Sequence, residues 1–272
     1  MLAGMTTLAA LRIRAATPAD YPTFVRFFAE LGAGHAPLAR ERWQTTAMPT
    51  TLLFERAGSP VGYCMYEVLT ATGYVRNLVV APEARGRGVG HAIMQELRRR
   101  FRAAGCASMC LNVKPDNVPA IALYTRAGLQ PRYAASSMRL QWAVLAGLPQ
   151  PAPLLRAAEL PVAEQALFEQ RLALEPGIVQ RRRELPDMLV LGLWAGEAPA
   201  GIACFDPHFP GATPFRARDV GAARALLEAV RQRTPWLAAI ALVVEDDQAL
   251  ADALRAAGAE VLLEMVHFHG PV

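Results

Sequence analysis

Four short patterns occur in the same order in both halves of the chain, and this repetition is the strongest constraint on its fold. The paired patterns are Arg14-Ala15-Ala16-Thr17 and Arg156-Ala157-Ala158-Glu159, residues 57–62 and 195–201, Val89-Gly90 and Val220-Gly221, and Arg126-Ala127-Gly128 and Arg255-Ala256-Ala257-Gly258. Each match alone is weak, because Ala, Gly and Arg are common in this chain. Their shared order favours an internal duplication. An Ala- and Pro-rich segment, 143–153, lies between the copies and is a candidate linker.

The first half has the pattern of a mixed α/β domain. Strands are predicted at 11–14, 51–56, 61–69, 74–80, 108–113 and 134–141, and helices at 18–31, from Val89 to near Gly105, and between Asn117 and Gly128. Turn chemistry at 57–60 predicts a hairpin between the second and third strands. The order β, α, β, β, β, α, β, α, β predicts an α/β fold with a mixed sheet.

Composition and charge argue against several other classes of protein. With 272 residues and 53% hydrophobic positions, the chain can bury a sizeable core. No apolar run approaches the roughly 18 residues of a membrane span, and residues 1–15 lack the features of a secretory signal. We therefore expect a cytoplasmic protein that does not bind membranes, and the oligomeric state stays open, a homo-oligomer included.

The cysteines and the basic residues give no separate functional signal. The four cysteines form no CxxC pair, so we expect reduced core residues and no metal site. The net charge is only +4, and the basic runs 98–100 and 181–183 are short and lie on predicted helices. We interpret them as solvated helix surface and expect no nucleic-acid partner.

A turn rich in Gly and Arg joins a predicted strand to a predicted helix at residues 81–90. Gly86, Gly88 and Gly90 let the backbone approach a ligand closely, and Arg85 and Arg87 add positive charge. The unpaired N–H groups at the start of the helix suit a pyrophosphate. The Walker loop is excluded because Gly-Lys-Ser/Thr is absent, and the dinucleotide fingerprint because residue 91 is His.

This turn resembles the acyl-CoA signature of the GNAT superfamily of N-acetyltransferases, Arg-x-x-Gly-x-Gly after a strand ending Val-x-Pro-Glu. A second motif of that superfamily, Asn, then Ala, then Leu-Tyr-x-x-x-Gly, is matched by Asn117, Ala120, Leu123-Tyr124 and Gly128. The resemblance covers residues 11–142 and implies a GNAT-like mixed central sheet flanked by helices, present twice in tandem. The implied domains are 1–145, catalytic, and 154–272, degenerate and non-catalytic.

The resemblance also implies roles for individual residues. Acetyl-CoA would be the acyl donor, in a gap between splayed strands at 74–80 and 108–113. Its binding residues would be Leu78, Val79, Val80, Arg85, Gly86, Arg87, Gly88, Val89, Gly90 and Asn117. The N–H of Val80 would stabilise the oxyanion of the tetrahedral intermediate, and Tyr124 would protonate the leaving thiolate.

The base that deprotonates the attacking amine is not fixed by the sequence. Glu67 is the nearest candidate, Asp116 and a water chain are alternatives, and Glu83 belongs to the exposed Pro-Glu of the signature. The acceptor pocket is expected at 31–50, which contains His35. We expect a small-molecule primary amine as acceptor, and the alternative function is a CoA-binding sensor or interaction protein without turnover.

The second half has lost the residues that the resemblance assigns to chemistry. In the repeat, Asp219 stands where the first half has Gly88, Leu254 where it has Tyr124, and Asp247 where it has Asn117. An acid at a helix start caps the helix but repels a pyrophosphate. His267 and His269 would share one face of a strand, but two ligands do not make a zinc site, so no metal is expected.

Overall fold

The structure is a computed structural model that describes residues 10–272. Residues 1–9 lie outside the described residues, and with them most of the segment interpreted as lacking a secretory signal and the start of the predicted first domain. Within 10–272, no helix is long and apolar enough to cross a bilayer.

Both halves contain the same series of elements, β, α, α, β, β, β, α, β, α, β. In the first half these are β1 (Arg12–Ala15), α1 (Tyr21–Ala29), α2 (Arg40–Thr46), β2 (Thr51–Arg56), β3 (Ser59–Val68), β4 (Thr72–Val80), α3 (Val89–Ala103), β5 (Ser108–Val113), α4 (Val118–Arg126) and β6 (Gln130–Gln141). In the second half they are β7 (Leu155–Glu159), α5 (Gln165–Arg171), α6 (Ile178–Arg183), β8 (Leu189–Ala195), β9 (Ala198–Asp206), β10 (Gly211–Ala217), α7 (Val220–Arg233), β11 (Ala239–Glu245), α8 (Gln248–Ala256) and β12 (Glu260–Pro271).

The matched order confirms the predicted α/β fold and its repetition. In the first half every predicted strand is present, and β2 and β5 have the predicted bounds. Helix α2 was not predicted. It has seven residues, no side chain caps its start, and its Trp43 is fully buried, so tertiary packing rather than a local signal forms it.

The two halves share one sheet of twelve strands in the order β1-β2-β3-β4-β5-β12-β6-β11-β10-β9-β8-β7. The C-terminal strand of each half is exchanged. Strand β12 pairs with β5 of the first half, from Val266 opposite Val113 to Pro271 opposite Ser108. Strand β6 pairs in turn with β11 of the second half, and β6 and β12 pair with each other at the centre.

The hydrophobic cores cross between the halves in the same way. Phe268 on β12 is buried in the core that α3 and α4 cover. Met138 and Leu140 on β6, and Trp142 after it, are buried in the core under α7 and α8. The proposed domain boundary near residues 145–154 is therefore crossed by buried side chains from both directions.

Strands β4 and β5 separate along their length, as the resemblance implied. Their parallel pairing ends at Val75 opposite Leu111, although β4 continues to Val80. The separation begins at a β-bulge, where Arg76 is the extra residue between two pairs of β4 with β3. Beyond Val75, the edge of β4 that faces away from β3 pairs with no strand among residues 10–272.

Because each half supplies a strand to the other, we predict that cutting the linker does not separate them. A protease site inserted after Pro153, beside the exposed Leu154, gives a chain that can be nicked. The two fragments should elute together in size-exclusion chromatography and separate only in denaturant. The amides of 266–270 should stay protected from hydrogen exchange, as in the uncut chain; separate elution or loss of this protection would contradict the exchanged pairing.

Candidate active site

The turn before α3 leaves the first amides of that helix uncapped. Gly86 and Gly88 have φ of 72° and 79°, in the left-handed region that favours glycine. Gly88 is the N-cap of α3 and no side chain bonds the first turn. A Cβ on Gly90 would lie 3.0 Å from Leu123, so glycine there also lets α4 pack beside the start of α3. The exposed N–H groups form a site for an anion.

The two arginines of the turn are placed differently. The Arg85 guanidinium donates to the Val80 carbonyl at 3.1 Å and to the Glu30 carboxylate at 2.7 Å, so it joins the turn to β4 and α1. Arg87 is exposed beside the uncapped helix start, and no side-chain hydrogen bond joins it to another residue in 10–272. Arg87 is therefore the arginine of the turn that is free to meet a phosphate.

The backbone of β4 points alternately towards β3 and towards the gap. The Ala81 N–H donates to Val61 of β3, and Tyr63 lies opposite Val79, so alternation directs the polar groups of Val79 to β3 as well. The N–H groups of Leu78 and Val80 then point into the gap. Of the three strand residues expected to bind the acyl carrier, Leu78 and Val80 have this orientation, and Val79 instead packs its side chain in the core.

Tyr124 lies on α4 and lines the cavity that is described below. Its side chain is 6% exposed and its ring centroid is 6.4 Å from that of Phe268 on the exchanged strand. Its hydroxyl has no hydrogen-bond partner among residues 10–272. Burial raises the pKa of Tyr124 above its ordinary value, so the hydroxyl is protonated at neutral pH and can donate a proton.

Asn117 positions the helix that carries Tyr124. It is the N-cap of α4, and its Oδ1 accepts a hydrogen bond of 3.3 Å from the Ala120 N–H. Capping of α4 is a sufficient reason for an asparagine at this position, and a role of Asn117 in binding acetyl-CoA stays a prediction.

Glu67 on β3 is bound to an arginine of the second half. Both of its oxygens accept hydrogen bonds of 3.1 Å from Arg182 on α6. Burial raises the pKa of Glu67, but the charges of Arg182 and Arg76 outweigh burial and lower the pKa to about 2. A carboxylate with so low a pKa accepts a proton poorly at neutral pH, which disfavours Glu67 as the base.

The other two acids considered as bases lie on the surface. Asp116 is exposed in the turn before α4, and Glu83 is exposed in the short 3₁₀ helix after β4. Neither side chain lines the cleft described next.

A cavity of about 1380 Å³ extends from the α3 turn to the second half. The segment 31–50 contributes His35 and Arg42 to its wall, whereas Trp43 is in the core. His35 stacks edge-on against Phe209 at 4.8 Å, and Arg42 forms an ion pair with Asp206. The second half therefore forms one wall of the cavity.

Tyr74 and Asn112 make one part of the cavity wall polar, and Asn112 also contacts a residue of the second half. The Tyr74 hydroxyl accepts from Asn112 at 3.1 Å, and His267 of β12 contacts Asn112 through Nδ1 at 2.8 Å and stacks on Tyr133 at 4.4 Å. Burial lowers the pKa of His267 to about 4, so it is neutral at pH 7. Within 10–272, no group of three or more His, Cys, Asp or Glu side chains could hold a metal ion.

Sequence reasoning missed the residues that the second half contributes to this wall. Arg182 and Glu245 line the cavity, and Arg216 lies 3.6 Å from Glu245. All three lie more than 100 positions after β4. Arg182 belongs to the basic run 181–183, and the interpretation of that run as solvated helix surface is wrong for Arg182, which is 5% exposed. The strand exchange alone brings them beside Tyr74 and Arg76.

The equivalent helix start in the second half is closed. Asp219 is the N-cap of α7 and accepts from the Ala222 N–H at 2.7 Å. The linker also crosses this position: the Gln150 carbonyl lies 3.1 Å from where a Cβ of Gly221 would be, and Arg224 donates to the Leu148 carbonyl at 2.7 Å. Strands β10 and β11 separate after Ala212, but the anion site beside them is filled by protein.

Comparison with known proteins gives a family for part of the chain. Residues 19–129 match the Acetyltransferase (GNAT) family. A putative [ribosomal protein bS18]-alanine N-acetyltransferase of Bacillus subtilis (strain 168) is 28% identical over 80 residues, which cover 29% of this chain and 53% of that protein. The chain thus spans about half the length of this curated relative.

Solved structures show the same fold over nearly the whole chain. A GCN5-related N-acetyltransferase from Sphaerobacter thermophilus is similar with a TM-score of 0.65 and 19% identity, covering 96% of this chain and 95% of that one. A tandem GNAT protein from the clavulanic acid biosynthesis pathway is similar with a TM-score of 0.61 and 17% identity, covering 96% and 98%. These likenesses establish the tandem fold alone.

The Glu67–Arg182 ion pair predicts a large difference between two Glu→Gln variants. Glu67→Gln leaves the buried Arg182 charge without its carboxylate and should lower the free energy of unfolding by about 3 kcal/mol in urea denaturation. The control Glu184→Gln removes an exposed pair with Arg181 at the end of the same helix and should cost less than about 1 kcal/mol.

The same comparison has a defined pH dependence. The folded-state pKa of Glu67 is lowered from 4.5 to about 2, so its stabilising contribution is complete above about pH 4.5 and is lost as the pH falls through about 2. The difference between wild type and Glu67→Gln should shrink over that interval. Equal costs for the two variants, or a difference independent of pH, would show that the pair does not join the halves.

Proposed function

Because residues 19–129 belong to the GNAT acetyltransferase family, we propose that this chain transfers the acetyl group of acetyl-CoA to a primary amine. The observation that carries this proposal is the uncapped start of α3 beside the gap between β4 and β5. The anion site could bind a pyrophosphate, and the unpaired strand edge could hydrogen-bond an extended chain attached to it. The second half supports a single site per chain, since its equivalent helix start is capped and covered.

The residues present fit acetyl-CoA along a defined path. The amides from Gly86 to Gly90 and the Arg87 guanidinium would hold the phosphates. The free N–H groups of Leu78 and Val80 would bond the pantetheine arm along the strand. When bound, acetyl-CoA supplies a thioester whose carbonyl carbon accepts a nucleophile.

The order of residues along β4 distinguishes the two N–H donors. Val80 lies nearer the phosphate turn, and Arg85 already occupies its carbonyl. An arm that starts at the turn passes Val80 first and reaches Leu78 nearer its acyl end. The N–H that stabilises the oxyanion, first assigned to Val80, is therefore better placed at Leu78, with Val80 bonding the arm.

The proposed reaction forms a C–N bond to the amine and breaks the C–S bond of the thioester. Tyr124 donates its phenolic proton to the departing thiolate and regains a proton from solvent. Its buried, protonated hydroxyl with no protein partner fits this role. Since Glu67 is held by Arg182 and Asp116 is outside the cavity, we assign removal of the amine proton to water in the cavity.

The covered cavity favours a small acceptor. The wall formed by the second half, with Phe209 against His35 and Asp206 against Arg42, restricts access for a folded protein substrate. We place the reaction in the cytoplasm, because all four cysteines are free and buried, as in reducing compartments. A CoA-binding protein without turnover is the alternative. It is favoured because each acidic side chain that lines the cavity within residues 10–272 is paired with an arginine.

Tyr124→Phe separates the two functions. The variant keeps the ring and its packing but loses the acidic proton, so kcat should fall on the order of 100-fold or more while acetyl-CoA affinity stays nearly unchanged. Thiol release with an amine panel gives kcat, and calorimetry gives affinity. In the control Tyr66→Phe only a hydrogen bond from Arg100 outside the cavity is lost, so turnover should persist. Unchanged turnover in Tyr124→Phe would refute the assigned role, and wild-type protein that binds acetyl-CoA but releases no thiol would support the alternative.

Titration calorimetry should give one acetyl-CoA per chain. In the second half, Asp219 caps the equivalent helix start and Gln150 covers it, so no open anion site remains there. Gly88→Asp, which gives α3 the residue found at the start of α7, should abolish binding by placing a carboxylate beside the phosphates. Two sites per chain, or residual binding in this variant, would contradict the assignment.

A further inference from the structure

Five charged side chains meet at the end of the cavity below the β4 bulge, and we name them the bulge cluster. They are Arg76, Arg182, Arg216, Glu67 and Glu245. With three guanidinium groups and two carboxylates, the cluster has one positive charge in excess. This excess lies at the boundary between the two halves.

The excess charge belongs to Arg76. Glu67 is bound through both oxygens by Arg182, and Glu245 lies 3.6 Å from Arg216. Arg76 makes neither an ion pair nor a side-chain hydrogen bond with any residue in 10–272. Its guanidinium instead lies over the Tyr74 ring, 4.7 Å from the centroid. Stacking fixes the plane of the guanidinium and leaves its N–H groups free at the edge.

The surrounding groups do not neutralise this charge. Burial lowers the pKa of both His267 and His269, so neither imidazole is charged at pH 7, and burial raises the pKa of Tyr74, which stays neutral. Arg132 and Glu175 both lie near His269, and their opposite charges cancel in the sum. The cluster and its neighbours together remain one positive charge in excess.

The bulge determines where Arg76 points. The two residues at the bulge, Arg76 and Asn77, lie opposite the single residue Met65, so both side chains are directed to the face that forms the cavity wall. Without the extra residue, strand alternation would direct one of them into the core under α3. The half-buried cation is therefore directed into the cavity by the β-bulge.

We propose that the amine acceptor carries a carboxylate and that Arg76 binds it. This inference rests on the acetyl transfer proposed above and names the chemical class of its acceptor, a small amino acid or a compound with an amino-acid end. A planar guanidinium with two free edges suits a carboxylate. A doubly charged phosphate fits less well, because Glu67 and Glu245 also lie beside Arg76.

The length of the acceptor follows from positions on β4. Arg76 lies two residues from Leu78 and four from Val80, which is about 7 to 13 Å along a strand. The attacking nitrogen must reach a thioester held beside one of those N–H groups. A short chain between amine and carboxylate, as in α-, β- and γ-amino acids, spans the nearer distance.

The experiment compares matched acceptors with the full-length protein. Each of several α-, β- and γ-amino acids is tested against its own carboxamide with acetyl-CoA, and thiol release gives kcat/KM. The carboxamide makes an α-amine less basic and so more often deprotonated at neutral pH, so a preference for the acid cannot arise from amine ionisation. We expect at least one acid to be preferred over its amide by tenfold or more.

Substitution of Arg76 should remove that preference selectively. Arg76→Gln should lower kcat/KM for the acid on the order of 10- to 100-fold, mainly through KM, and leave the amide unchanged. Arg76→Lys keeps the charge and should restore part of the preference. The control Arg139→Gln changes a cavity arginine that already lies near Glu260 and should keep the wild-type ratio. Acetyl-CoA affinity, measured for each variant, reports whether the fold is intact.

The results distinguish failure of the carboxylate site at Arg76 from failure of the proposed acetyl transfer. Equal rates for acids and amides in the wild type, or an equal loss of preference in Arg139→Gln, would overturn the role of Arg76 and leave acetyl transfer standing. If Arg76→Gln does not fold, an unchanged preference in Arg76→Lys together with a lost preference in Arg139→Gln would also overturn it. No thiol from any amine, with acetyl-CoA still bound, would overturn the proposed function itself.

Discussion

The antiparallel pairing of β6 with β12 is the interaction on which the rest of the structure depends. Each of these strands ends one half of the chain and completes the sheet of the other, so neither core is closed without its partner. Phe268 fills the first core beside Tyr124, and Leu140 fills the second beneath α7 and α8. The two similar halves therefore share one continuous sheet. The same exchange gives the cavity its second wall.

The two halves show how one backbone position decides between ligand binding and structure. Gly88 and Asp219 are both helix N-caps, but only the aspartate satisfies an amide of its own helix. Because Gly88 has no side chain, α3 lacks the side-chain cap that ordinarily stabilises a helix by about 1 kcal/mol, and its first amides stay free. In the second half the linker residues 148–151 lie over the capped helix and Arg224 holds them there. The position equivalent to the open helix start of the first half is thus filled by protein.

The bulge cluster links this packing to chemistry. Arg182 on α6 binds Glu67, so this cavity carboxylate joins the halves, and its lowered pKa makes it a poor proton acceptor. Arg76, which stacks on Tyr74, has no ion-pair partner within residues 10–272. A half-buried charge without a counter-ion is costly, and its position at a β-bulge facing the cavity suits the anionic group proposed for it. The ion pair between the halves and the proposed acceptor site thus use neighbouring side chains.

The sequence by itself determined the elements and the local chemistry: the strands of the first half, the glycine turn before α3, the Asn117 cap, Tyr124, and the replacement of Gly88 by Asp219. These depend on short-range spacing and backbone preference, which a single chain displays directly. Only the tertiary structure decided which strands pair and which N–H groups among Leu78, Val79 and Val80 face the gap. It also decided which carboxylates form ion pairs. Those outcomes depend on register and on contacts such as Glu67 with Arg182, 115 positions apart in the chain, for which no local pattern exists. The features that the sequence predicts depend on residues close together in the chain. The features that it does not predict depend on contacts between residues far apart in the chain.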